Sequence, residues 1–359
     1  MAIRSLVINP GSTSTKLGIF TDETAEMEVT LRHCAAELGR FDSIAAQQDF
    51  RREIILDFLR ERGTDLRGFD VVVGRGGMLK PVPGGVYLVT DALYRDLENG
   101  VQGEHASNLG GILAREIADE AGIPAYIVDP VVVDELMPAA RLSGLPEIPR
   151  VSVFHALNQK SVCRRYAAET GRKYEELNLI GVHLGGGVSV AAHEKGRVVD
   201  VFNALNGDGA FSPERAGALP VGGLIRRCFS GEVTEREMMK RVAGGGGFNA
   251  YVGTHDVREI MERIEAGDGK AKLVMDAFIL QVSKDVGAMA AVLAGEVDRI
   301  LITGGIANNR QVTEAITKRV EFIAPVTVYP GEDELLELAQ GALRVMRGEE
   351  QARIYEEIR

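Results

Sequence analysis

The sequence predicts an α/β protein of two domains that share one layout, a β-sheet flanked by helices. The chain has 359 residues, more than one ordinary hydrophobic core accommodates, and this length suits two domains. Strand-like apolar runs alternate with helical segments, which is typical of α/β layers. Two short glycine turns, at Gly11 and Gly185, each lie between two apolar runs and occupy corresponding places in the two halves. Both turns are therefore predicted to close β-hairpins.

The domain boundaries follow from a second repeated pattern. Segment 70–77 and segment 298–305 each lead an apolar run into paired glycines, which supports an internal duplication. Apolar residues between 335 and 346 recur at helical spacing and predict a C-terminal helix that could cross back to the first domain. The expected division is a first domain over 1–150, joined by a C-terminal helix over 332–359, and a second domain over 151–331.

Three elements of the first half can be placed in order. Residues 69–73 form a continuous apolar run that ends at a glycine, as a buried strand does. A capped helix is predicted to begin near Asn108 and to close near Gly122. Residues 125–128 predict another buried strand. Asp129 directly follows that strand, at the end where open α/β sheets bind ligands.

Composition limits the classes of function. The net charge of −11 argues against a nucleic-acid surface. The three cysteines are isolated and lack CxxC spacing, so we expect reduced thiols. No stretch approaches the roughly 18 apolar residues of a membrane helix, and the first ten residues lack the pattern of a signal peptide. We therefore expect a cytoplasmic protein that binds neither nucleic acid nor membranes.

The first glycine turn has a composition suited to binding an anion. It has the sequence Asn9-Pro10-Gly11-Ser12-Thr13-Ser14-Thr15-Lys16, with four consecutive hydroxyls and a lysine. Backbone N–H groups and hydroxyls of such a turn can close on phosphate. The turn lacks the Gly-Lys-Ser/Thr ending of a P-loop and leads into a strand, so a Walker site is rejected. A hydroxyl-rich hairpin turn without a ligand is the alternative interpretation.

Segment 9–16 and the segment His183-Leu184-Gly185-Gly186-Gly187-Val188-Ser189 together resemble the two signature motifs of the acetate and butyrate kinases. These belong to the superfamily of acetate kinases, sugar kinases, Hsp70 and actin. The resemblance continues at 154–155, 304–309 and 332–335 and covers nearly the whole chain. It implies two actin-like (ribonuclease H-like) domains that bind ATP in the cleft between them.

The same resemblance implies reversible, direct in-line transfer of the ATP γ-phosphoryl to a carboxylate, which yields an acyl phosphate and ADP. Segments 74–81 and 128–136 are more similar to the butyrate branch, so we expect butanoate or a branched short-chain acid as the acceptor. Acetate or propionate is an alternative acceptor. A protein of the superfamily that binds ATP without kinase activity is a further alternative.

A carboxylate is already anionic and nucleophilic, so catalysis should consist of positioning and charge neutralisation. The resemblance assigns Arg75 and Arg215 to the carboxylate and the transferring phosphoryl, in an order that the sequence leaves open. Val72 stands where acetate kinases have an arginine, and Arg75 stands where they have a histidine. His155 matches the family's active-site histidine, and Asp129 is expected to be a catalytic residue as well. Surface salt bridges for the arginines and a structural role for His155 are the alternatives.

The resemblance also implies ATP and Mg²⁺, together with self-association into a homo-oligomer. Asp333, Glu334 and Asp129 are the candidate Mg²⁺ ligands, and Mg²⁺ takes only one or two carboxylates. An acidic helix N-terminus is the alternative for 332–334, and an ordinary helix start is the alternative for 256–258. The expected nucleotide contacts are Asn9, Gly11, Ser12, Thr13, Ser14, Lys16, His183, Gly185, Gly186, Gly187, Asp256, Arg258, Gly304, Gly305 and Asn308.

Overall fold

The computed structural model describes residues 2–357 and divides into two compact units. One unit comprises Met1–Val133 and Asp333–Arg359, and the other comprises Asp134–Glu332. Residues 134–150, which the sequence analysis assigned to the first domain, therefore group with the second unit. Two ion pairs hold them there, between Arg150 and Asp200 at 2.8 Å and between Glu135 and Lys160 at 2.9 Å.

The secondary structure alternates between strands and helices along the chain. The strands are β1 (Arg4–Pro10), β2 (Ser14–Thr21), β3 (Thr24–Arg32), β4 (Val71–Arg75), β5 (Val86–Leu88), β6 (Ala125–Val128), β7 (Asn178–Leu184), β8 (Val188–Glu194), β9 (Arg197–Val201), β10 (Arg299–Gly304) and β11 (Val326–Pro330). The α-helices are α1 (Ala35–Leu38), α2 (Gln48–Glu61), α3 (Asp91–Glu98), α4 (Asn108–Ala121), α5 (Ala156–Glu169), α6 (Val221–Cys228), α7 (Glu235–Val242), α8 (Gly247–Val252), α9 (Val257–Glu265), α10 (Gly269–Val292), α11 (Arg310–Val320) and α12 (Glu334–Met346).

The first unit contains a mixed sheet in the order β3-β2-β1-β4-β6-β5. Strands β1 to β3 form an antiparallel meander, β4 and β6 run parallel to β1, and β5 is antiparallel to β6. Helix α4 lies close to β4, because a Cβ on Gly74 would lie only 2.0 Å from the carbonyl oxygen of Gly110. The predicted helix from Asn108 to Gly122 and the predicted strand 125–128 are confirmed. The strand predicted at 69–73 lies two residues later.

The second unit repeats this topology with one strand fewer. Its sheet has the order β11-β10-β7-β8-β9, in which β7 to β9 form an antiparallel meander and β10 and β11 run parallel to β7. Both predicted hairpins are therefore confirmed, and the mixed α/β class with two similar sheets is confirmed as well. Buried apolar residues of α10, including Phe278, Val282 and Val286, belong to the core of this unit.

The C-terminal helix is shorter than the predicted span of 332–359. Helix α12 ends at Met346, and Gly348 adopts a left-handed φ of 74° that turns the chain. The backbone N–H of Arg353 then donates to the Val86 carbonyl at 2.8 Å, so this segment pairs with β5 instead of continuing a helix. The charged residues beyond 346 offer no apolar stripe that would favour a longer helix. Residues 358–359 of the predicted helix lie outside the described residues.

None of the helices formed by residues 2–357 combines the length and the apolar character that a bilayer span requires.

Candidate active site

The first glycine turn joins β1 to β2 and is held by a fully buried arginine. Arg51 on α2 donates from Nη1 to the carbonyl oxygens of Gly11 at 2.8 Å and Ser14 at 3.1 Å. Its Nη2 donates to the carbonyl oxygen of Ser12 at 3.1 Å. Burial lowers the pKa of Arg51 to about 10, so the guanidinium stays charged at neutral pH. The sequence analysis missed Arg51, because nothing in its local sequence distinguishes it from an arginine on a helix surface.

The four hydroxyls of this turn differ in their surroundings. The Thr15 hydroxyl is buried and lies 2.8 Å from Nε2 of His33, so it has a structural partner. Ser12 and Thr13 are exposed. Lys16 is exposed as well and lies within β2, directly opposite Asn9 of β1. Ser14 is half-buried. The exposed groups of this turn that can meet an anion are therefore the hydroxyls of Ser12 and Thr13 and the ammonium of Lys16.

Arg75, Asn9 and Glu334 form one polar cluster in the first unit. Nη1 of Arg75 lies 2.6 Å from Oε1 of Glu334, and Nδ2 of Asn9 donates to Oε2 of Glu334 at 2.6 Å. Nη1 of Arg75 also reaches Oδ1 of Asn9 at 3.5 Å. The carboxylate predicted as a metal ligand thus pairs with an arginine predicted to be catalytic. Glu334 fixes the orientation of this guanidinium.

His105 lies near this cluster and was not predicted. Burial lowers its pKa, and the positive charge of Arg75 lowers it further. Nδ1 of His105 lies 2.8 Å from the hydroxyl of Ser107. A histidine, His105, thus lies close to Arg75. According to the resemblance, Arg75 stands at the sequence position where acetate kinases have a histidine. The sequence does not relate His105 to Arg75, and only the fold brings them close.

The predicted metal ligands Asp129 and Asp333 have different surroundings. Asp129 is 1% exposed, has a left-handed φ of 36°, and accepts a hydrogen bond at Oδ1 from the Gly85 N–H at 2.7 Å. Asp333 caps α12 by accepting from the Leu336 N–H at 3.1 Å. The charge of Asp333 also acts on a neighbouring carboxyl, Glu28. Burial raises the pKa of Glu28, the negative charge of Asp333 raises it further, and the positive charge of Lys16 opposes the rise.

Among residues 2–357, no group of three or more His, Cys, Asp or Glu side chains is arranged to hold a metal ion. This arrangement still fits Mg²⁺, which takes few protein carboxylates and completes its shell with water and phosphate oxygens. Asp333 offers the required hard oxygen donor, because only Oδ1 accepts the helix-capping hydrogen bond and the residue is exposed.

The second glycine turn joins β7 to β8. The N–H of Gly185 donates to the Gly187 carbonyl at 3.0 Å, and the Ser212 hydroxyl donates to the Gly186 carbonyl at 2.6 Å. A Cβ on Gly186 would meet only the carboxylate end of Glu214, at 3.1 Å. Gly304 differs, since its φ is 92° and a Cβ there would lie 2.4 Å from the Leu184 carbonyl oxygen. Gly186 thus leaves the backbone at the tip of the turn open to approach.

Two predicted histidines stack beside this turn. The rings of His155 and His183 have centroids 3.7 Å apart and are tilted by 10°. Nδ1 of His155 lies 2.9 Å from the Ser189 hydroxyl. His183 is 1% exposed, with Nδ1 at 2.7 Å from Oδ1 of Asn158 and Nε2 at 3.3 Å from Oε1 of Glu332. Both rings therefore have defined orientations.

A cleft of about 720 Å³ opens beside the same turn within the second unit. Six of the predicted nucleotide residues line it, namely Gly185, Gly186, Asp256, Arg258, Gly305 and Asn308. Asp256 caps α9 by accepting from the Arg258 N–H at 2.9 Å, and the Arg258 side chain lowers the pKa of Asp256 to about 2. Residues 256–258 thus begin a helix, and they also line the cleft, so the structure is compatible with both interpretations of this segment.

Arg215 lies in a loop that is anchored to α10. The N–H of Ala210 donates to Oδ2 of Asp285 at 2.7 Å, and the N–H of Phe211 donates to Oε1 of Gln281 at 3.2 Å. Burial raises the pKa of Asp285 to about 7, with the Ala210 N–H opposing the rise. Nη1 of Arg215 lies 3.4 Å from Oε2 of Glu214, whereas its buried Nε has no hydrogen-bond partner among the described residues.

Comparison with known proteins identifies the family. A family model described as the acetokinase family matches residues 148–330. The chain belongs to the acetokinase family. A protein named "Probable butyrate kinase" from Clostridium botulinum is 57% identical over 99% of this chain and 100% of its own length. "Butyrate kinase 2" from Clostridium acetobutylicum is 54% identical over 99% of this chain and 100% of its own length.

A solved structure supports the fold independently of these sequences. The acetate kinase of Porphyromonas gingivalis superposes with a TM-score of 0.80 at 21% identity, covering 96% of this chain and 100% of that one. The predicted family resemblance, the actin-like fold class and the predicted enzyme class, a kinase of this family, are confirmed. Membership of a kinase family also implies ATP as the phosphoryl donor.

Proposed function

We propose that this protein is a carboxylate kinase that transfers the γ-phosphoryl of ATP to butanoate and releases butanoyl phosphate and ADP, reversibly. Family membership supports the phosphoryl transfer. The choice of butanoate as the phosphoryl acceptor rests on one observation, the 54–57% identity, over nearly the entire chain, to proteins named butyrate kinases. A branched short-chain acid is the nearest variant of the same proposal.

The cleft beside the second glycine turn is the proposed nucleotide site. Gly185 and Gly186 line one part of it, and Gly186 would present its backbone N–H to the phosphates, since the Gly185 N–H is already bonded to the Gly187 carbonyl. Asp256, Arg258 and Asn308 line the rest and would contact the adenosine. The volume of about 720 Å³ is within the range of ligand pockets.

The reaction needs no general base. A carboxylate oxygen of butanoate attacks the γ-phosphorus in line, the bond to the β–γ bridging oxygen breaks, and ADP leaves with that electron pair. The residues must bring two anions together, and Arg75 and Arg215 supply the positive charge. The unpartnered Nε of Arg215 supports a ligand contact at this side chain. Bound Mg²⁺ would neutralise phosphate charge, with Asp333 as the proposed ligand and Glu334 and Asp129 as alternatives.

An ATP-dependent acyl-hydroxamate assay with acetate, propionate, butanoate and isobutanoate tests the proposal. We expect kcat/KM to be highest for butanoate or isobutanoate. Each methylene that the pocket accommodates should contribute roughly 10- to 200-fold. Activity with acetate alone would overturn the butanoate assignment, and no activity with any carboxylate would overturn the kinase function.

Substitution of the two arginines tests their roles. Arg75→Ala and Arg215→Ala should each lower kcat by about 10²-fold or more, because each removes stabilisation of charge in the transition state. Arg60→Ala and Arg165→Ala are matched controls, since their side chains are 69% and 63% exposed and pair with carboxylates on the same helix. A near-normal rate for either test variant would remove that arginine from the site.

A cytoplasmic homo-oligomer is the remaining part of the proposal. The three cysteines are free, in agreement with a reducing compartment. An exposed apolar stripe formed by Val221 and Ile225 of α6 and by Phe229, which directly follows this helix, supports self-association. Light scattering of the purified protein measures the oligomeric mass, and a monomer at micromolar concentration would contradict the oligomer.

A further inference from the structure

His155 is the first member of a hydrogen-bonded network that runs into the core of the second unit. Its Nδ1 contacts the Ser189 hydroxyl at 2.9 Å, and Nε2 of Gln159 donates to that hydroxyl at 2.8 Å. Oε1 of Gln159 lies 2.9 Å from Nε2 of His193, whose Nδ1 lies 2.7 Å from the hydroxyl of Tyr174. Beyond His155, every member is at most 4% exposed.

The orientation of the Gln159 amide follows from one contact. Its nitrogen lies 3.1 Å from the backbone carbonyl oxygen of Ser189, and a carbonyl oxygen can only accept. The amide oxygen must therefore face His193, and Nε2 of His193 must carry the proton that it donates there. Nδ1 of His193 then accepts from the hydroxyl of Tyr174.

The surroundings of the Ser189 hydroxyl locate the proton of His155. Ser189 is buried and its hydroxyl has one proton to donate; of its two partners among the described residues, Nε2 of Gln159 is itself a donor, so Nδ1 of His155 is the acceptor for that proton. Nδ1 then accepts, and a neutral His155 carries its proton on Nε2. The stack with His183 at 3.7 Å agrees with this state, because two stacked imidazolium rings would repel each other.

The proton-bearing edge of His155 faces the glycine turn. A Cβ on Gly187 would lie 3.4 Å from Cε1 and 3.7 Å from Nε2 of His155. This edge is therefore close to the backbone that the proposed nucleotide phosphates would meet. A neutral ring with its proton on Nε2 can donate a hydrogen bond there, but it cannot act as a base through that nitrogen.

We propose that Ser189 and Gln159 are positioning residues that hold His155 as the neutral tautomer with its proton on Nε2, ready to donate to the transferring phosphoryl. The use of that proton rests on the proposed function, whereas the tautomer itself does not. Ser189 acts directly on the ring, and Gln159 acts through Ser189.

The tautomer is measured by long-range ¹H–¹⁵N correlation spectra of the full chain labelled with ¹⁵N-histidine, without nucleotide at pH 7.5. The chain contains six histidines, and a His155→Asn variant identifies the signals of His155. We expect the pattern of a protonated Nε2 and an unprotonated Nδ1 in the wild type. A protonated Nδ1 in the wild-type spectrum would overturn the inference without any variant.

Ser189→Ala removes the donor to Nδ1, and Ser189→Thr retains a hydroxyl. Ser189→Ala should shift His155 towards a mixture of tautomers, lower kcat by about 10-fold or more and change KM for ATP less than twofold. Ser189→Thr should restore the wild-type tautomer and most of the rate. Ser283→Ala is the matched control, because its hydroxyl donates at 2.7 Å to a carbonyl of its own helix, α10.

The outcomes separate the two proposals. If the wild-type tautomer is as expected but no carboxylate is phosphorylated, the proposed function fails and the tautomer assignment stands. If the enzyme is active but Ser189→Ala leaves both the tautomer and kcat unchanged, the positioning role fails alone. A Ser189→Ala protein that does not fold leaves the wild-type spectrum and Ser189→Thr as the deciding measurements.

Discussion

The two glycine turns occupy the same position in the same sheet topology, yet they are supported by different chemistry. A buried guanidinium holds the first turn by binding its carbonyl oxygens, and the exposed Ser12 and Thr13 lie at its tip. The second turn has glycines at its tip, with a serine hydroxyl and a stacked histidine pair beside it. The repeated topology therefore specifies where each turn lies, while residues from other segments of each unit determine its chemistry.

Removing the guanidinium of Arg51 should cause the largest loss of stability and would show how strongly the first turn depends on it. We expect Arg51→Ala to destabilise the protein by about 4 kcal/mol, because three partly buried carbonyl oxygens lose their donor and a cavity forms. Arg51→Lys should recover only part of the loss, since an ammonium cannot reproduce the planar fork. Urea unfolding measures both effects. If Arg51→Ala costs no more than the exposed control Arg60→Ala, the first turn does not depend on this cation.

The second unit also buries a cation, but it lies in an ion pair rather than under the turn. Lys160 and Glu135 have side chains only 2% and 8% exposed. Lys160→Met should destabilise the protein by about 3 kcal/mol, since it removes the cation that neutralises a buried carboxylate, and KM for ATP should not change. The double variant with Glu135→Gln should recover much of this stability. A raised KM for ATP in Lys160→Met would show that this cation also supports the second turn.

The loop beside the second turn is anchored to a titrating residue of α10, Asp285, which accepts from the Ala210 N–H. Its pKa is raised from 3.8 to about 7, so the folded state binds the proton more tightly, and this group contributes less stability as pH rises from about 4 to 7. The advantage of Asp285→Asn over the wild type should therefore grow by about 2–3 kcal/mol between pH 5 and pH 8. Unfolding curves across this range measure it. The exposed control Asp276→Asn should show no such trend, and a parallel trend would contradict the assignment.

The smallest expected effect comes from Gly186→Ala, which tests whether the nucleotide must approach the backbone of the second turn. Gly186→Ala should raise KM for ATP about 10-fold, because the methyl group lies where the phosphates would approach. Stability should change little, since only the movable end of Glu214 is close. Gly287→Ala on α10 is the control, because a Cβ there meets no atom within 4 Å. An unchanged KM in Gly186→Ala would separate this turn from the nucleotide.

Local patterns in the sequence were sufficient for much of the fold. Apolar runs interrupted by glycine turns predicted both hairpins, and helical periodicity with a closing glycine predicted α4. The same patterns overestimated the last helix, because Gly348 and the pairing of Arg353 with β5 override the helical spacing of charged residues. Several predicted nucleotide residues, including Gly185, Asp256 and Gly305, came together around one cleft.

The sequence alone determined the α/β class, the repeated hairpins, the kinase resemblance and the residue types that phosphoryl transfer requires. Only the tertiary structure decided how those residues are supported. Arg51 under the first turn, His105 near Arg75, and Gln159 behind His155 carry no local signal, because a buried hydrogen bond depends on which distant segments meet. Periodicity reports the face that a residue occupies, whereas partners and proton positions depend on contacts between elements.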